Sequence, residues 1–242
     1  MHAAPVSILP KIENLKPIVE KCTYFAAETD INRGQEVAEA VSFLKDTNLR
    51  ILLGKKKFEK LRKTFLKVYK FDLLRFMDFN PLFLNSLLTK QAFGEIELIA
   101  PDELLWSMAT NLGLETKGLE PIEKEIEIIR NLPMKYQLNT LKAIGGNISK
   151  YRRKLLELTE LYAKEDLQGL YQRTMKGSGG MKRVLLYERN EIMTETFLKL
   201  SANAPLFAAV GAAHLPGKKG ILKMIKDKGL KVKPIKMSKY KF

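Results

Sequence analysis

Short apolar runs alternate with longer amphipathic runs along this chain, and this alternation limits the fold more than any other feature. "YFAAETD" (24–30) and "LETKGLE" (114–120) have the length of strands and end in acids, whereas "FEKLRKTFLKVYK" (58–70) carries apolar residues at helical spacing. Strands that alternate with helices are typical of α/β domains. We therefore predict an α/β fold, with a central mixed sheet flanked by helices.

Three further segments complete this predicted organisation. Residues 121–176 are polar, helical in pattern and poor in strand signals, which predicts a helical insertion within a single domain spanning residues 1–242. "PLFAAVGAAH" (205–214) is apolar enough to be a central strand buried on both faces. "LKVKPI" (230–235) is predicted to be the last strand.

The charge balance bears on the partners of the chain. The 42 basic and 27 acidic residues give a net charge of +15, and ten lysines but one acid lie between Lys218 and Lys241. The basic clusters match no helix-turn-helix, zinc-finger or RNA-recognition pattern, so we expect no specific nucleic-acid binding. We expect a solvated basic surface, with weak, non-specific attraction to anionic membrane surfaces as an addition. The single cysteine, Cys22, excludes an internal disulfide.

The two histidines of the chain stand near its opposite ends, at His2 and His214. Gly211 and His214 form a G-x-x-H tetrapeptide directly after the apolar run at 205–210. This position predicts an imidazole at the carboxyl end of a strand, where open α/β sheets gather ligand sites. The tetrapeptide alone favours a structural histidine, so its wider context decides between the two interpretations.

That context resembles one protein family. "FAAVGAAHLPGKKGILKMIKDKGLKVKPI" (207–235) is similar to the C-terminal signature of the TraB/PrgY/GumN family, and "LLYERNEIMTETFLKL" (185–200) is similar to its segment with an Arg-Asn pair. "GLE" (118–120) and "CTYFAAETDI" (22–31) resemble two of its strand ends. The matches follow the order of the family and cover most of the chain.

The resemblance implies a TraB/GumN architecture, which is ChaN-like, and a location in the cell envelope. The family's first signature is another G-x-x-H after an apolar strand, and Met1 and His2 of "MHAAP" match its last two positions. The glycine and the strand that precede them in the family are not in this sequence. We therefore expect the N-terminal strand of the domain to be missing.

The family includes the TIKI proteases, so the resemblance implies a metal-dependent hydrolase whose first expected reaction is peptide-bond hydrolysis, with a peptide or small molecule as substrate. Two imidazoles and a carboxylate suit a divalent transition ion such as Mn, Co or Zn, with a position left for water or substrate. His2, His214 and Glu28 are the predicted metal ligands. Glu28 and His214 are also predicted to be catalytic, and Asp30 is the second choice for the role of Glu28.

The remaining predicted site residues are Glu120, Arg189, Asn190 and Gly211. Glu120 is a candidate general base, and it is equally well placed to cap the following helix. Arg189 is predicted to stabilise an oxyanion or to bind a substrate carboxylate or phosphate, against the alternative of a structural salt bridge with a neighbouring acid. Asn190 and Gly211 are predicted to contact substrate, and Asn190 also to orient backbone or Arg189.

Two other functions stay open at this point. The pheromone-inhibiting members of the family indicate a protein that binds a peptide, and so inhibits a signal, without cleaving it. Haem or iron binding through His2 and His214 is a further alternative. A fold shared with the family does not decide among these functions, because one fold hosts many chemistries.

Overall fold

Five short strands occur in the computed structural model, which describes residues 4–44, 46–93 and 96–235. For residues 68, 69, 87, 90 and 91 the backbone alone is described. The strands are β1 (Ala4–Pro5), β2 (Tyr24–Ala27), β3 (Leu98–Ile99), β4 (Glu115–Gly118) and β5 (Leu206–Ala208).

Helices make up most of the remaining chain, and 65% of the structure is helical. In chain order they are α1 (Leu9–Glu13), α2 (Lys16–Val19), α3 (Gly34–Val41), α4 (Leu49–Leu53), α5 (Lys55–Tyr69), α6 (Pro81–Ala92), α7 (Pro101–Asn111), α8 (Ile122–Asn131), α9 (Met134–Gly146), α10 (Ile148–Ala163), α11 (Leu167–Gly177), α12 (Glu188–Ser201) and α13 (Ile221–Asp227). A π-helical turn, Arg183–Tyr187, leads directly into α12. Within the described residues, no helix has the length and apolar character needed to cross a membrane.

The larger of the two sheets is parallel and three-stranded, in the order β4-β2-β5. Ala27 lies opposite Gly118 of β4, and Ala26 lies opposite Ala208 of β5. β1 and β3 form a separate antiparallel pair. Because β4, β2 and β5 run in one direction, their carboxyl ends meet at one edge, where the segments that follow them can contribute side chains to a common site.

The chain divides into two compact units, and the first contains this sheet (1–32, 97–125 and 158–242). Side chains alternate along β2, so Phe25 packs into the hydrophobic cluster on one face of the sheet and Ala26 into the cluster on the other face. The Phe25 ring meets Trp106 edge-on at a centroid distance of 6.0 Å and stacks on Phe207 at 5.9 Å. The middle strand is thus buried on both faces, which holds its carboxyl end in place.

The second unit (33–96 and 126–157) is built around helices. Asn80 caps α6, because its Oδ1 accepts a hydrogen bond of 2.8 Å from the backbone N–H of Leu82. Gly145 of α9 packs against Leu61 and Phe65, leaving no room for a side chain. The core of this unit is formed by Leu49, Leu53, Phe58, Leu61, Phe65, Leu73, Leu84, Leu88, Leu138, Leu141 and Ile144.

The predicted α/β class is confirmed, with the small parallel sheet flanked by many helices. The prediction of a central strand at residues 205–214 is wrong, because β2 is central and β5 is a half-buried edge strand of three residues. The run ends early because residues Ala212–His214 turn into a 3-10 helix. The prediction of a last strand at 230–235 is also wrong: that segment is mostly exposed and forms no strand, and Pro234 has no N–H to donate.

Residues 121–176 are helical, as predicted, and α8 to α11 cover most of them. The second compact unit takes residues 126–157 from this stretch and adds residues 33–96. That the stretch is an insertion into a single domain stays a prediction. The helical segment before β2 is divided into α1 and α2, because Pro17 lacks the N–H needed to continue α1 and instead occupies the first turn of α2.

Candidate functional site

Polar residues gather where the three parallel strands end. Backbone hydrogen bonds continue the pairing beyond β2 and β4, since Leu119 N–H donates to Ala27 O at 2.9 Å and Glu120 N–H donates to Glu28 O at 2.8 Å. Gly211 follows β5 at the same edge. The strand order therefore brings the Glu28 and Glu120 segments next to each other, although 92 positions separate them in the chain.

Glu28 connects the two ends of the sequence. Its Oε1 accepts a hydrogen bond of 2.6 Å from the backbone N–H of Gly211, and its Oε2 accepts one of 2.9 Å from Nη2 of Arg189. A Cβ atom on residue 211 would lie 2.8 Å from Glu28 Oε1. Gly211 therefore permits the carboxylate to approach the backbone, which supplies the physical reason for glycine at this position.

Arg189 lies in the first turn of α12 and joins two carboxylates. Its Nε donates to both oxygens of Glu120 at 3.0 Å, in addition to the contact between Nη2 and Glu28. The Glu120 side chain is fully buried, and that of Arg189 is 16% exposed. A charged group so far from water needs an opposite charge, and each member of this triad supplies one to its neighbour.

The pKa values of the pair reflect this burial. Burial raises the pKa of the Glu120 carboxyl above its ordinary value, and the Arg189 guanidinium opposes this effect only in part. Burial alone would lower the pKa of Arg189, but the carboxylates of Glu28 and Glu120 outweigh it and raise that pKa. Arg189 is thus held as a permanent cation beside Glu28.

His214 ends the 3-10 turn after β5, and its side chain is buried. Its Nδ1 lies 2.6 Å from Oδ1 of Asn190, whose Nδ2 donates to the backbone carbonyl of Lys219 at 2.7 Å. The carbonyl can only accept, so the amide nitrogen of Asn190 must face it and the amide oxygen must face His214. The Nδ1 atom of the imidazole therefore carries the proton, and Nε2 presents a lone pair.

The lone pair of His214 Nε2 faces Glu28 Oε2 at 3.7 Å. Burial lowers the pKa of His214 to about 4, since the attraction of the Glu28 carboxylate opposes this shift only in part and Arg189 adds to it. The imidazole is therefore neutral at pH 7. The two atoms, a neutral imidazole nitrogen and a carboxylate oxygen, are of the types that a transition ion accepts as ligands.

The described residues fit a metal ion in part. His214 and Glu28 supply one nitrogen and one oxygen donor, and ligand bonds of about 2.0–2.2 Å laid end to end exceed the 3.7 Å between them, so one ion can reach both atoms. Across residues 4–44, 46–93 and 96–235, no group of three His, Cys, Asp or Glu side chains forms a metal-binding set. The third predicted ligand, His2, lies outside the described residues.

The structure brings together Glu28, Glu120, Arg189, Asn190 and His214, which we call the edge cluster, with Gly211 against it. Arg189 pairs with the distant Glu28 and Glu120, whereas its sequence neighbour Glu188 pairs with Arg183. Asp30, the second choice for the role of Glu28, accepts instead from the backbone N–H of Asn32. The catalytic and ligand roles of the edge cluster stay predictions.

Sequence reasoning missed two features of this site. The direct contact of Asn190 with the His214 ring was not predicted, although the orientation of backbone by Asn190 was. A cavity beside Glu28 was also missed, because its lining includes Leu105 and Tyr162 from helices distant in sequence. Neither residue carries a local signal in the sequence beyond that of an ordinary helix face.

Comparison with curated proteins and with solved structures finds no match. A sequence profile described as the TraB/PrgY/gumN family matches residues 1–234, and thus nearly all of the 242 residues. The matched range includes the whole edge cluster, the G-x-x-H tetrapeptide at residues 211–214 and the other segments that carried the resemblance. The chain belongs to the TraB/PrgY/gumN family.

Proposed function

We propose that this protein is a metal-dependent hydrolase, with peptides as its first expected substrates. One observation carries the proposal: a buried neutral imidazole, His214, presents its Nε2 lone pair to a carboxylate oxygen of Glu28 at 3.7 Å. A divalent transition ion would accept both atoms as ligands. Such an ion supplies Lewis-acid polarisation of a carbonyl and activation of water.

Three residues would hold this ion, namely Glu28 and His214 with the predicted third ligand His2. Asn190 Oδ1 accepts a hydrogen bond from the Nδ1–H of His214, which fixes the tautomer in which Nε2 is a ligand. Asn190 is itself held by the carbonyl of Lys219. The imidazole is therefore positioned before any ion arrives, and little entropy is lost when the ion binds.

Arg189 and Glu120 have a positioning role in this proposal. Arg189 Nη2 holds Glu28 Oε2, and Arg189 is in turn held by both oxygens of Glu120. The positive charge of Arg189 lies 2.9 Å from Glu28 Oε2 and complements the negative charge that a carboxylate ligand carries. Both oxygens of Glu120 are engaged, which favours a counter-ion role over that of a general base.

Metal binding and peptide cleavage test the proposal on the full chain. Binding of Mn²⁺, Co²⁺ and Zn²⁺ is measured by titration calorimetry for the wild type, His214→Ala, Glu28→Gln and His2→Ala. Glu191→Gln is the matched control, because Glu191 is exposed on the same helix as Arg189. We expect each site variant to lose at least about tenfold in affinity and the control to match the wild type.

Cleavage of a mixture of blocked peptides, followed by mass spectrometry, supplies the second measurement. We expect turnover that requires the metal and is lost in His214→Ala and Glu28→Gln. Equal metal affinity in the wild type and both variants would overturn the assigned site. Metal binding without turnover of any peptide would overturn the hydrolase.

A further inference from the structure

A cavity of about 250 Å³ adjoins the edge cluster. Glu28 and Gly211 belong to its wall, and the remaining wall comes from the segments after β2 and β5, from the first half of α7 and from α10. Its apolar lining includes Ala27, Ile31, Leu105, Ala209, Val210 and Leu215. The cavity therefore begins at the carboxylate proposed to bind the metal and extends into apolar surroundings.

The size of this cavity sets the size of the group that it can hold. An apolar cavity of about 150 Å³ in another protein holds benzene, so about 250 Å³ accommodates a branched aliphatic or aromatic side chain. Burial of such a side chain is favourable in proportion to the apolar area removed from water. A whole folded partner is far too large for this volume.

The charges around the cavity restrict its occupant further. Among the described residues that line it, the ionisable carboxylates are Glu28 and Asp102, and no lysine or arginine is present. This contrasts with the net charge of +15 carried by the whole chain. An acidic side chain would lie close to these two carboxylates, and it would also lose its hydration in the apolar part of the cavity.

We propose that the cavity is a specificity pocket, which holds an aliphatic or aromatic side chain of the substrate, and not an acidic one, next to the bond that is cleaved. This proposal rests on the proposed function for the reaction, but binding to the pocket requires neither the metal nor turnover. Glu28 forms part of both the pocket wall and the edge cluster, so an occupant of the pocket lies beside the carboxylate proposed as a metal ligand.

The first test measures binding of three small probes: N-acetyl-leucinamide, N-acetyl-phenylalaninamide and N-acetyl-glutamic acid amide. Ligand-observed NMR at pH 7 without metal supplies the affinities. We expect the leucine and phenylalanine probes to bind at least about tenfold more tightly than the glutamate probe. Equal binding of the glutamate probe would overturn the pocket.

Variants of the wall locate the binding. Ala209→Leu places a larger side chain in the cavity and is expected to weaken the leucine probe at least about tenfold. Ala202→Leu is the matched control, because Ala202 is exposed in the same unit. Ile31→Ala enlarges the cavity and is expected to shift the preference several-fold towards phenylalanine, which tests the pocket even if Ala209→Leu fails to fold. Unchanged affinities in Ile31→Ala and in folded Ala209→Leu would overturn the proposal.

The two proposals fail in distinguishable ways. Probe binding that responds to Ala209→Leu, in a protein that cleaves no peptide, would contradict the hydrolase and leave the pocket standing. Metal-dependent cleavage that is indifferent to the side chain beside the cleaved bond would contradict the pocket and leave the hydrolase standing.

Discussion

Each unit contains an arginine–carboxylate pair, and the pKa of the carboxyl group is lowered in one pair and raised in the other. In the second unit, Nε and Nη2 of Arg62 donate to the two oxygens of Asp72 at 2.7 and 3.0 Å, and these bonds lower the pKa of Asp72 to about 2. In the first unit, Arg189 donates to both oxygens of Glu120, yet the pKa of Glu120 is raised. The Asp72 side chain is 26% exposed and that of Glu120 is 0% exposed, so burial decides the sign.

The buried pair is better suited to positioning a neighbouring side chain than to stabilising the fold. Removing two charges from water costs more free energy than a surface pair ever incurs, so a buried ion pair is weak evidence for stabilisation. The Arg189–Glu120 pair also connects to Glu28 at a sheet edge, whereas Arg62 contacts Glu59 on its own helix. The arrangement holds the Glu28 side chain in one position, between Arg189 and the backbone N–H of Gly211.

Removal of the arginine from each pair should produce the largest difference. We expect Arg189→Met to lower the free energy of unfolding by about 3–5 kcal/mol, because Glu120 would be left buried without its counter-ion. Arg62→Met should cause a clearly smaller loss, since water reaches Asp72. Urea denaturation of both variants measures the difference, and equal losses would show that burial does not separate the two pairs.

The pH dependence of stability should show the next largest effect. His214 has a pKa of about 4 in the folded protein against 6.5 in the unfolded chain, so the unfolded chain binds a proton first as the pH falls. Stability should therefore decrease between about pH 6.5 and pH 4, by roughly 3 kcal/mol in total. Denaturation curves of the metal-free protein at several pH values measure this loss.

Two variants separate the contributions to this acid sensitivity. His214→Gln should abolish the decrease between pH 6.5 and 4. Asp72 has a lowered pKa, so its stabilising contribution is present above pH 3.8 and is lost as the pH falls towards 2; Asp72→Asn should change only that lower range. A loss above pH 4 that persists in His214→Gln would assign the effect to another group.

The smallest stability effect should come from the glycine beside the edge cluster. In Gly211→Ala the new Cβ would displace the end of the Glu28 side chain and weaken its hydrogen bond to the backbone, for a loss of about 1 kcal/mol. Gly146→Ala, at the open end of α9 in the other unit, should cause no loss. Thermal unfolding compares the two variants, and calorimetric Mn²⁺ titration should show weaker binding for Gly211→Ala alone.

The local elements were predictable where one residue type decides the backbone. Asn80 caps α6 because its side chain accepts a backbone hydrogen bond. Gly113 lies in the turn after α7 because glycine readily adopts a positive φ, here 76°. The place of β5 at the edge of the sheet was not predictable, because its apolar residues suit a central strand as well as an edge strand. Pairing with β2 on one side alone decided that point.

The candidate site also combines features that the sequence predicts with features that it does not. The acids after β2 and β4 and the histidine after β5 could be selected from strand ends, since parallel strands share their carboxyl edge. The partners of Arg189 could not be selected, because Glu188 and Glu191 lie near it in the sequence and are candidates as good as the distant Glu120. The cavity beside Glu28 could not be predicted either, since its wall combines four separate segments.

The sequence by itself determined the α/β class, the family and the chemical types gathered at the sheet edge, because these depend on periodicity and on motifs within short segments. Only the tertiary structure decided which carboxylates hold Arg189, which tautomer His214 adopts and where a cavity adjoins Glu28. Those properties depend on distances of about 3 Å and on exclusion of water, and both arise only when remote segments pack together. "VGAAHLPG" (210–217) therefore reveals a histidine at a strand end, and Asn190 and Glu28 determine what that histidine can do.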